Sequence, residues 1–304
     1  MRTLLQSLQI VAFLAGSPLL LGVIGRVKAI AAGRTGPPLL QPYRDLARLL
    51  RKGAVFSRTA TWVFRAGPSV ALGSTLVAGL LLPMGAPEAV VRFAGDFVLF
   101  AYLLALARFA TMLAALDTGS SFEGMGASRE ATFSAVAEPA LFICLLSLAR
   151  STHSLDLTHM LGEDLHPVWW TDAPALLLVG LALFAVALAE NARVPVDDPA
   201  THLELTMIHE VMVLDHSGPD FAMIQYGAAL KLWLFGAVIV RLALGALAGD
   251  PWVAFFAFLG GQLLFALAIG LIESSMARLR LPRVPQLLIG ASALSAFALV
   301  LLLR

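Results

Sequence analysis

The chain has few charged residues and almost no cysteine. Only 13% of its 304 residues are charged, whereas about a quarter are charged in a typical soluble domain. Its single cysteine, Cys144, cannot form a disulfide within the chain, and one thiolate cannot by itself hold an iron–sulfur cluster or a structural zinc ion. With 59% hydrophobic residues and a mean hydropathy of +0.84, the composition is that of a polytopic membrane protein.

The chain also lacks the short motifs that mark nucleotide sites, hydrolases and metalloenzymes. It contains no P-loop, GxGxxG or GxSxG sequence. His209-Glu210 does not begin an HExxH zinc motif, because the next histidine is His216. His202-x-Glu204 has no downstream PCxxC as in the zinc deaminases. We therefore expect no catalytic residue, no metal site and no cofactor in this chain.

Long apolar segments dominate what is present. A helix needs about 20 apolar residues to cross the hydrocarbon core, and eight segments are long enough. They are 4–24, 62–82, 95–116, 131–149, 173–189, 222–247, 252–272 and 285–303. The sequence therefore predicts an all-α polytopic membrane protein with about eight transmembrane helices, forming a single membrane domain over residues 1–304.

Lysine and arginine are concentrated in two of the connections, and this sets the predicted orientation. The connection 25–61 contains eight of them, and the last connection contains Arg278, Arg280 and Arg283. With eight spans, both connections lie on one side, which we predict to be cytoplasmic, and both termini lie outside. Seven spans would place the two basic connections on opposite sides. The predicted functional loops on the cytoplasmic side are 25–61, 117–130 and 190–221.

The first basic connection contains a short amphipathic helix. In residues 42–52, Tyr43 and Leu46 belong to an apolar face with helical spacing, whereas Arg44 and Arg48 lie on the opposite face. We expect this helix to lie in the membrane interface. Its basic face is suited either to anionic lipid or to a partner protein, and the sequence does not decide between them.

A few ionisable side chains interrupt the apolar segments. Arg108, Glu138 and Lys231 lie inside predicted spans. Such residues are costly at bilayer depth and usually mark an ion pathway or a paired site. A string of acids and bases can pass protons, although Arg108 and Glu138 could also pair only to pin two helices together. Asp96 and Glu273 are expected to be interfacial residues.

Residues 190–218 form a connection that is rich in carboxylates and histidines and longer than a simple turn requires. Its ionisable residues include Glu190, Arg193, Asp197, Asp198, Glu204, His209, Glu210, Asp215 and His216. The unperturbed pKa of histidine, about 6.5, suits a proton shuttle, but loop histidines are more often solvated or docking residues.

Several of these segments resemble a known family. The matching segments are Arg34-Thr-Gly-Pro37, Leu39-Leu-Gln-Pro42-Tyr-Arg-Asp45, Leu116-Asp-Thr-Gly-Ser-Ser-Phe122, Glu138-Pro139, Ala189-Glu190-Asn-Ala-Arg193-Val-Pro195-Val-Asp197 and Asp215-His216-Ser217-Gly218. They resemble signatures of the membrane subunit 1 family of respiratory complex I, over essentially the whole chain. The sequence LDTGSSFEGMGASREA and the stretch Glu273-Ser-Ser-Met-Ala-Arg278-Leu-Arg280-Leu281 resemble its hydrogenase branch, which includes formate hydrogenlyase subunit 4 and the equivalent membrane component of energy-converting [NiFe] hydrogenases.

The resemblance implies a subunit that anchors a peripheral electron-transfer arm and couples its redox chemistry to the translocation of protons or Na⁺. The implied partners are hydrogenase large subunit-like and small iron–sulfur subunits, antiporter-like membrane subunits and the lipid bilayer of a bacterial or archaeal cytoplasmic membrane, with no nucleic acid. A [NiFe] centre and iron–sulfur clusters would lie in the partners, and quinone is an alternative acceptor.

The candidate residues fall into two groups. The predicted proton-path and coupling residues are Glu138, Glu190, Arg193, Asp197, Glu204, Arg108, Lys231, His209, Glu210 and Asp215. The predicted partner-docking residues are Arg34, Arg44, Arg48, Arg129, Arg278 and Arg280.

The chain departs from the family in the charged connection. Two acidic positions of the family are Ala200 and His202 here, and residues 204–215 form a longer stretch. These departures argue against a quinone chamber of the complex I type. The alternative within the family is a quinone-site component of an NADH-quinone oxidoreductase-like complex. Further alternatives are a purely structural anchor and an independent ion transporter, although the inverted repeats typical of many transporters are not found in this sequence.

Overall fold

The protein is all-helical in the part that the computed structural model describes, which is residues 2–85, 88–197, 207–245 and 250–303. The helices are α1 (Arg2–Ala31), α2 (Gln41–Leu50), α3 (Trp62–Leu80), α4 (Asp96–Asp117), α5 (Ser121–Thr152), α6 (Leu157–Met160), α7 (Leu165–Thr171), α8 (Ala173–Glu190), α9 (Gly218–Leu244), α10 (Pro251–Ser275) and α11 (Val284–Leu302). Two 3-10 turns, Glu210–Val213 and Leu281–Arg283, precede α9 and α11.

Eight of these helices are long and apolar enough to cross a membrane, namely α1, α3, α4, α5, α8, α9, α10 and α11. The prediction of an all-α polytopic membrane protein with about eight spans is confirmed. A short amphipathic helix, α2, follows the first span as expected.

Two helices are longer than their apolar segments. Helix α1 continues to Ala31, and α5 begins at Ser121, ten residues before the predicted span. Most of the predicted loop 117–130 is therefore helical. The apolar-length rule missed this part of α5 because it contains buried carboxylates, Glu123 and Glu130, which pack against protein instead of lipid.

Local capping fixes where two of the spans begin. The hydroxyl of Thr61 accepts the backbone N–H of Val63 at the start of α3. The carboxylate of Asp250 accepts the N–H of Trp252, and Pro251 occupies the first turn of α10. These side chains satisfy N–H groups that have no partner within the helix.

Helix α9 has the largest buried share of the eight spans and packs against α1, α3, α8 and α10. Helix α11 packs against α5 and α8, and α3 packs against α4. Large side chains such as Phe100, Phe235 and Phe258 fill the core. The bundle therefore places α9 where it contacts residues from most other spans.

A proline in α1 leaves one backbone carbonyl without its helical donor, and a tyrosine of α9 binds this carbonyl. Pro18 has no N–H, so the carbonyl of Leu14 lacks its helical donor. The hydroxyl of Tyr226 on α9 donates to this carbonyl at 2.9 Å. The hydroxyl of Tyr43 on α2 donates to the neighbouring carbonyl of Ala15. Both α2 and α9 are thus tied to the middle of α1.

The arginine-rich connections lie together at one end of the bundle, which we call the basic end. The segment that precedes α9, residues 207–217, lies at this end and packs on the first part of α5. Asp96 and Glu273, expected at the interface, lie near the ends of α4 and α10 and are buried within the protein. One oxygen of Asp96 accepts the N–H of Leu157 at 2.8 Å at the opposite end.

Candidate functional site

Six ionisable side chains from four spans and segment 207–217 meet inside the bundle. We call this set the buried ion network. Its members are Arg108 of α4, Glu130 and Glu138 of α5, Glu190 of α8, His209 of segment 207–217 and Lys231 of α9. An ionised side chain at bilayer depth costs about 2.5–3.5 kcal/mol on insertion scales. The members of the network therefore have to neutralise one another.

Arg108 is the centre of the network. Its Nη1 donates to Oε1 of Glu190 at 2.5 Å, and its Nη2 donates to Oε1 of Glu138 at 2.6 Å. Its Nε lies 4.0 Å from Oε1 of Glu130. The planar guanidinium presents several donors in fixed directions. The side chain of Arg108 therefore contacts carboxylates from two helices, α5 and α8, and lies next to a third carboxylate, that of Glu130.

Glu190 joins two cations. Its Oε2 lies 2.7 Å from Nζ of Lys231, while Oε1 takes the bond from Arg108. Its side chain is 4% exposed, and that of Lys231 is 14% exposed. Removing one member of a buried ion pair costs about 3–5 kcal/mol, because the other charge is left unpaired. Glu190 therefore contributes to holding α4, α8 and α9 together.

His209 extends the network towards the basic end. Its Nε2 lies 3.3 Å from Oε2 of Glu130. Burial by itself lowers the pKa of His209, but the negative charge of Glu130, 3.3 Å away, raises it by more. The pKa of His209 is therefore above its ordinary value, with further contributions from Lys231, which lowers it, and Asp197, which raises it. The histidine is stabilised in its charged form by the carboxylate that it faces.

Asp197 holds the backbone beside His209 in place. One oxygen of this buried carboxylate accepts the N–H groups of Ile208 and His209, at 3.0 and 3.3 Å. The other oxygen lies 2.8 Å from Nη2 of Arg278, in the connection before α11. The position of His209 thus depends on the ion pair between Asp197 and Arg278, which is largely buried at the basic end.

Segment 207–217 is also held against α5. Arg129 donates to the carbonyl of Met207 at 2.9 Å, and Glu123 accepts the N–H of Asp215 at 3.0 Å. A side chain at Gly126 would collide with Val211 and Met212. The absence of a side chain at Gly126 allows the segment to pack directly on the helix.

A second ion cluster lies at the basic end beside the network. Glu273 of α10 contacts Nζ of Lys28 at 2.9 Å and Nη1 of Arg193 at 3.4 Å. Glu273 therefore joins the end of α10 to the end of α1 and to Arg193 in the connection after α8.

A cavity of about 440 Å³ opens next to the network. Its apolar walls include Leu21 of α1, Leu46 of α2, Leu72 of α3 and Phe221 of α9. Every network residue except Glu138 contributes to its lining. The volume is within the range of small-molecule sites, about 300–1,000 Å³.

The structure brings together five of the predicted coupling residues, which are Arg108, Glu138, Glu190, His209 and Lys231. The others lie around them: Glu210 lines the cavity, Arg193 and Asp197 belong to the adjoining ion pairs, and Asp215 contacts Glu123 through its backbone. Glu204, with His202, Asp198 and Ala200, lies outside the described residues. The roles of all these residues stay predictions.

The predicted docking arginines divide into two groups. Arg34, Arg44, Arg48 and Arg280 are exposed at the basic end. Arg129 and Arg278 are only partly exposed and hold segment 207–217 through Met207 and Asp197. In the described part of the chain, no group of three or more histidine, cysteine or carboxylate side chains is placed to hold a metal ion.

Sequence reasoning missed Glu130, which links His209 to Arg108. The signal for it was the spacing between Glu130 and Glu138. Eight residues correspond to about two helical turns, which puts both carboxylates on one face. That inference requires α5 to begin before residue 131.

Comparisons with known proteins identify the family of the chain. Residues 5–304 match the family model described as NADH dehydrogenase. The chain is 32% identical to formate hydrogenlyase subunit 4 of Escherichia coli (strain K12), over 100% of this chain and 99% of that protein. It is 34% identical to hydrogenase-4 component C of the same strain, over 78% of this chain and 73% of the relative.

A solved structure shares the fold. A chain of the membrane-bound sulfane sulfur reductase, an archaeal respiratory membrane complex, superposes with a TM-score of 0.81 at 20% identity, over 99% of both chains. These relatives belong to membrane complexes of several subunits, and the resemblance seen in the sequence motifs is confirmed. The chain therefore belongs to the NADH dehydrogenase family, and its similarity to formate hydrogenlyase subunit 4 over the full length places it with the complex I-related membrane subunits of hydrogenase type.

Proposed function

We propose that this subunit couples electron transfer in a peripheral, hydrogenase-like arm to the movement of protons or Na⁺ across the membrane. The observation that carries the proposal is a series of contacts from the basic end into the spans. Asp197 pairs with Arg278 and accepts the backbone N–H of His209, the side chain of His209 faces Glu130, and Glu130 lies next to Arg108. A redox event that moved segment 207–217 would change the partners of charges inside the membrane.

The network reaches the middle of the bundle. The hydroxyl of Ser292 lies 3.5 Å from the carbonyl of Val136. Ser292 is close to the midpoint of α11, which runs from Val284 to Leu302. Glu138 follows Val136 by about 3 Å of helix rise and is therefore near the centre of the membrane. Arg108 could exchange Glu138 for Glu130 without leaving its position, because oxygens of both carboxylates lie within 4.0 Å of its guanidinium.

Glu138 also supports the presence of a membrane partner. Its side chain is 41% exposed, and its second oxygen has no hydrogen-bond partner among the described residues. A carboxylate facing lipid at this depth would be costly. An antiporter-like membrane subunit with polar groups at the same depth would satisfy it and would receive the translocated ion.

The peripheral arm would dock on the basic end. The exposed arginines there, Arg34, Arg44, Arg48 and Arg280, suit acidic surfaces of a hydrogenase large subunit-like and a small iron–sulfur partner. The [NiFe] centre and the clusters would lie in those partners. The distribution of basic residues indicates that this end faces the cytoplasm of a bacterium or archaeon. Both termini would then lie on the outer side of the cytoplasmic (inner) membrane.

The test is coupled transport in proteoliposomes that contain the complete complex. Glu190→Gln and Lys231→Met each remove one charge of the 2.7 Å pair. Electron transfer is measured with a reduced viologen dye, and internal pH with an entrapped fluorophore. Asp96→Asn is the matched control, because it neutralises a buried carboxylate at the opposite end while keeping an acceptor for Leu157.

We expect both network variants to transfer electrons while moving several-fold fewer protons per electron, and Asp96→Asn to behave like the wild type. Replacing external Na⁺ by K⁺ identifies the ion. If both variants assemble and pump at the wild-type ratio, the coupling proposal is wrong, and the chain is a structural anchor.

The cavity favours a second candidate, a quinone-linked subunit. Its apolar walls, including Leu21, Leu46 and Phe221, fit an apolar tail, and His209 and Arg108 offer donors to a polar head. A bound quinone would act as the electron acceptor of the arm. Quinone-dependent oxidation of the donor, inhibited by a quinone analogue and weakened by Leu46→Trp, would favour this candidate over proton reduction.

A further inference from the structure

The charges of the buried ion network balance only if His209 carries a proton. Three carboxylates, Glu130, Glu138 and Glu190, contribute three negative charges. Arg108 and Lys231 contribute two positive charges. The third positive charge available within the network is an imidazolium at His209, 3.3 Å from Glu130. An unbalanced charge in a low-dielectric interior is strongly unfavourable.

We propose that His209 and Glu130 share the one exchangeable proton of the network, and that segment 207–217 controls it by setting the distance between the two side chains. The inference rests on the proposed function and deepens it. Among the six network residues, His209 alone comes from a connecting segment, whereas the other five lie on membrane-spanning helices. Its contact with Glu130 is therefore the one that motion at the basic end can change without moving a span.

The proton step involves defined atoms. The Nε2–H bond of the imidazolium breaks and an O–H bond forms at Oε2 of Glu130, which leaves a neutral pair and an unchanged network charge. The proton then leaves Glu130 for water in the adjoining cavity, which both side chains line. The network becomes one charge more negative, and Arg108, whose Nε is 4.0 Å from Glu130, is drawn towards this carboxylate. Reprotonation of His209 from the cavity restores the starting state.

Charged groups on every element packed around His209 influence how tightly its ring holds this proton. They are Glu130 of α5, Arg108 of α4, Glu190 of α8, Lys231 of α9, Asp197 before the segment and Glu210 within it. The nearest is Glu130, and the cation Lys231 opposes protonation of the ring. Asp197 accepts the backbone N–H of His209 and is tied to Arg278. A displacement of Arg278 would therefore move Asp197, and with it His209 and the proton that it carries.

The experiment uses three variants of the complete complex: His209→Gln, Glu130→Gln and the double variant. The charge balance predicts a network charge of about −1, +1 and 0, respectively. Both single variants should therefore lower the yield of assembled complex several-fold and reduce its temperature of half-inactivation. The double variant should recover both quantities to values above either single variant, because the remaining two carboxylates match the two cations.

The same three variants are then assayed for protons moved per electron. The double variant should assemble well and still move several-fold fewer protons per electron than the wild type, because the exchangeable proton has no site. His216→Gln is the matched control: it removes a second histidine of the same segment, which packs on Phe64 outside the network, and should pump normally.

Two results would overturn the inference. If the double variant assembles no better than the worse single variant, the charge balance is wrong. If the double variant assembles and pumps at the wild-type ratio, the pair holds no translocated proton. Either result leaves the proposed function to be decided by Glu190 and Lys231, because those variants do not depend on His209.

Discussion

Replacing Asp197 by asparagine should loosen segment 207–217 without unfolding the bundle. The aspartate accepts two backbone N–H groups, from Ile208 and His209, and pairs with Arg278 through its other oxygen. Asparagine keeps one acceptor oxygen and replaces the other with a donor. It can retain the backbone contacts or the contact with Arg278, but not both, and it has no charge.

The size of the effect follows from burial of the pair. The side chain of Asp197 is 4% exposed and that of Arg278 is 16% exposed. Breaking such a buried pair costs about 3–5 kcal/mol. The oxygen that asparagine keeps offsets part of this loss, so we expect about 3 kcal/mol for local opening. Each 1.36 kcal/mol is a factor of ten, which makes the open state of the segment about 100-fold more populated.

Hydrogen exchange followed by mass spectrometry measures this directly in the purified complex. Peptides from segment 207–217 should exchange about 100-fold faster in Asp197→Asn, while peptides from α9 keep their wild-type protection. Protons moved per electron should fall in parallel, because His209 is displaced from Glu130. Asp45→Asn is a control, since it neutralises a carboxylate of α2 whose ion-pair partner, Arg48, is exposed. Unchanged exchange in segment 207–217 would refute the argument that Asp197 holds it.

Three further changes address other parts of the molecule. Burial lowers the pKa of His216 to about 4, so the unfolded chain binds a proton that the folded chain does not, and stability should fall as pH drops from about 6.5 to 4. His216→Gln should reduce this loss in thermal inactivation scans, and an unaltered acid dependence would assign it to other groups. Gly126→Ala places a methyl group in collision with Val211, which should cost about 1–3 kcal/mol and increase exchange in segment 207–217; wild-type exchange would show that the neighbours adjust freely. Tyr226→Phe leaves the carbonyl of Leu14 without its donor, which should lower the free energy of unfolding by about 1 kcal/mol, and equal thermal stability of the two proteins would contradict this.

The spans were predictable because each one satisfies a simple length and polarity rule. The apolar run of α8 has almost the bounds that the structure shows, since lipid-facing and core-facing residues are both apolar. The first part of α5 was not predictable in this way. It is a polar helix whose carboxylates, Glu123 and Glu130, are buried by segment 207–217, and this contact joins residues 92 positions apart at Glu123 and Asp215.

The sequence shows which charged residues lie within the spans, but it does not show which of them pair with one another. Arg108, Glu138 and Lys231 stand out because charge is rare within apolar runs. That Glu190 bridges Arg108 and Lys231 could not be read from the sequence, because the bridge depends on how α4, α8 and α9 are arranged around one another. The resemblance to a known family indicated which positions matter, whereas the partners of each position required the fold.

The ion pairs also bear on how the chain enters the membrane during synthesis. Helices α4 and α5 form a hairpin that carries its own pair, Arg108 with Glu138, and α8 and α9 carry a second, Glu190 with Lys231. Each of these two pairs can therefore form within its own hairpin as the hairpin leaves the translocon, which lowers the cost of inserting the paired charges. The bond between Arg108 and Glu190 joins the two hairpins afterwards, within the lipid. The order in which the helices are synthesised is therefore consistent with the ion pairs of the folded bundle.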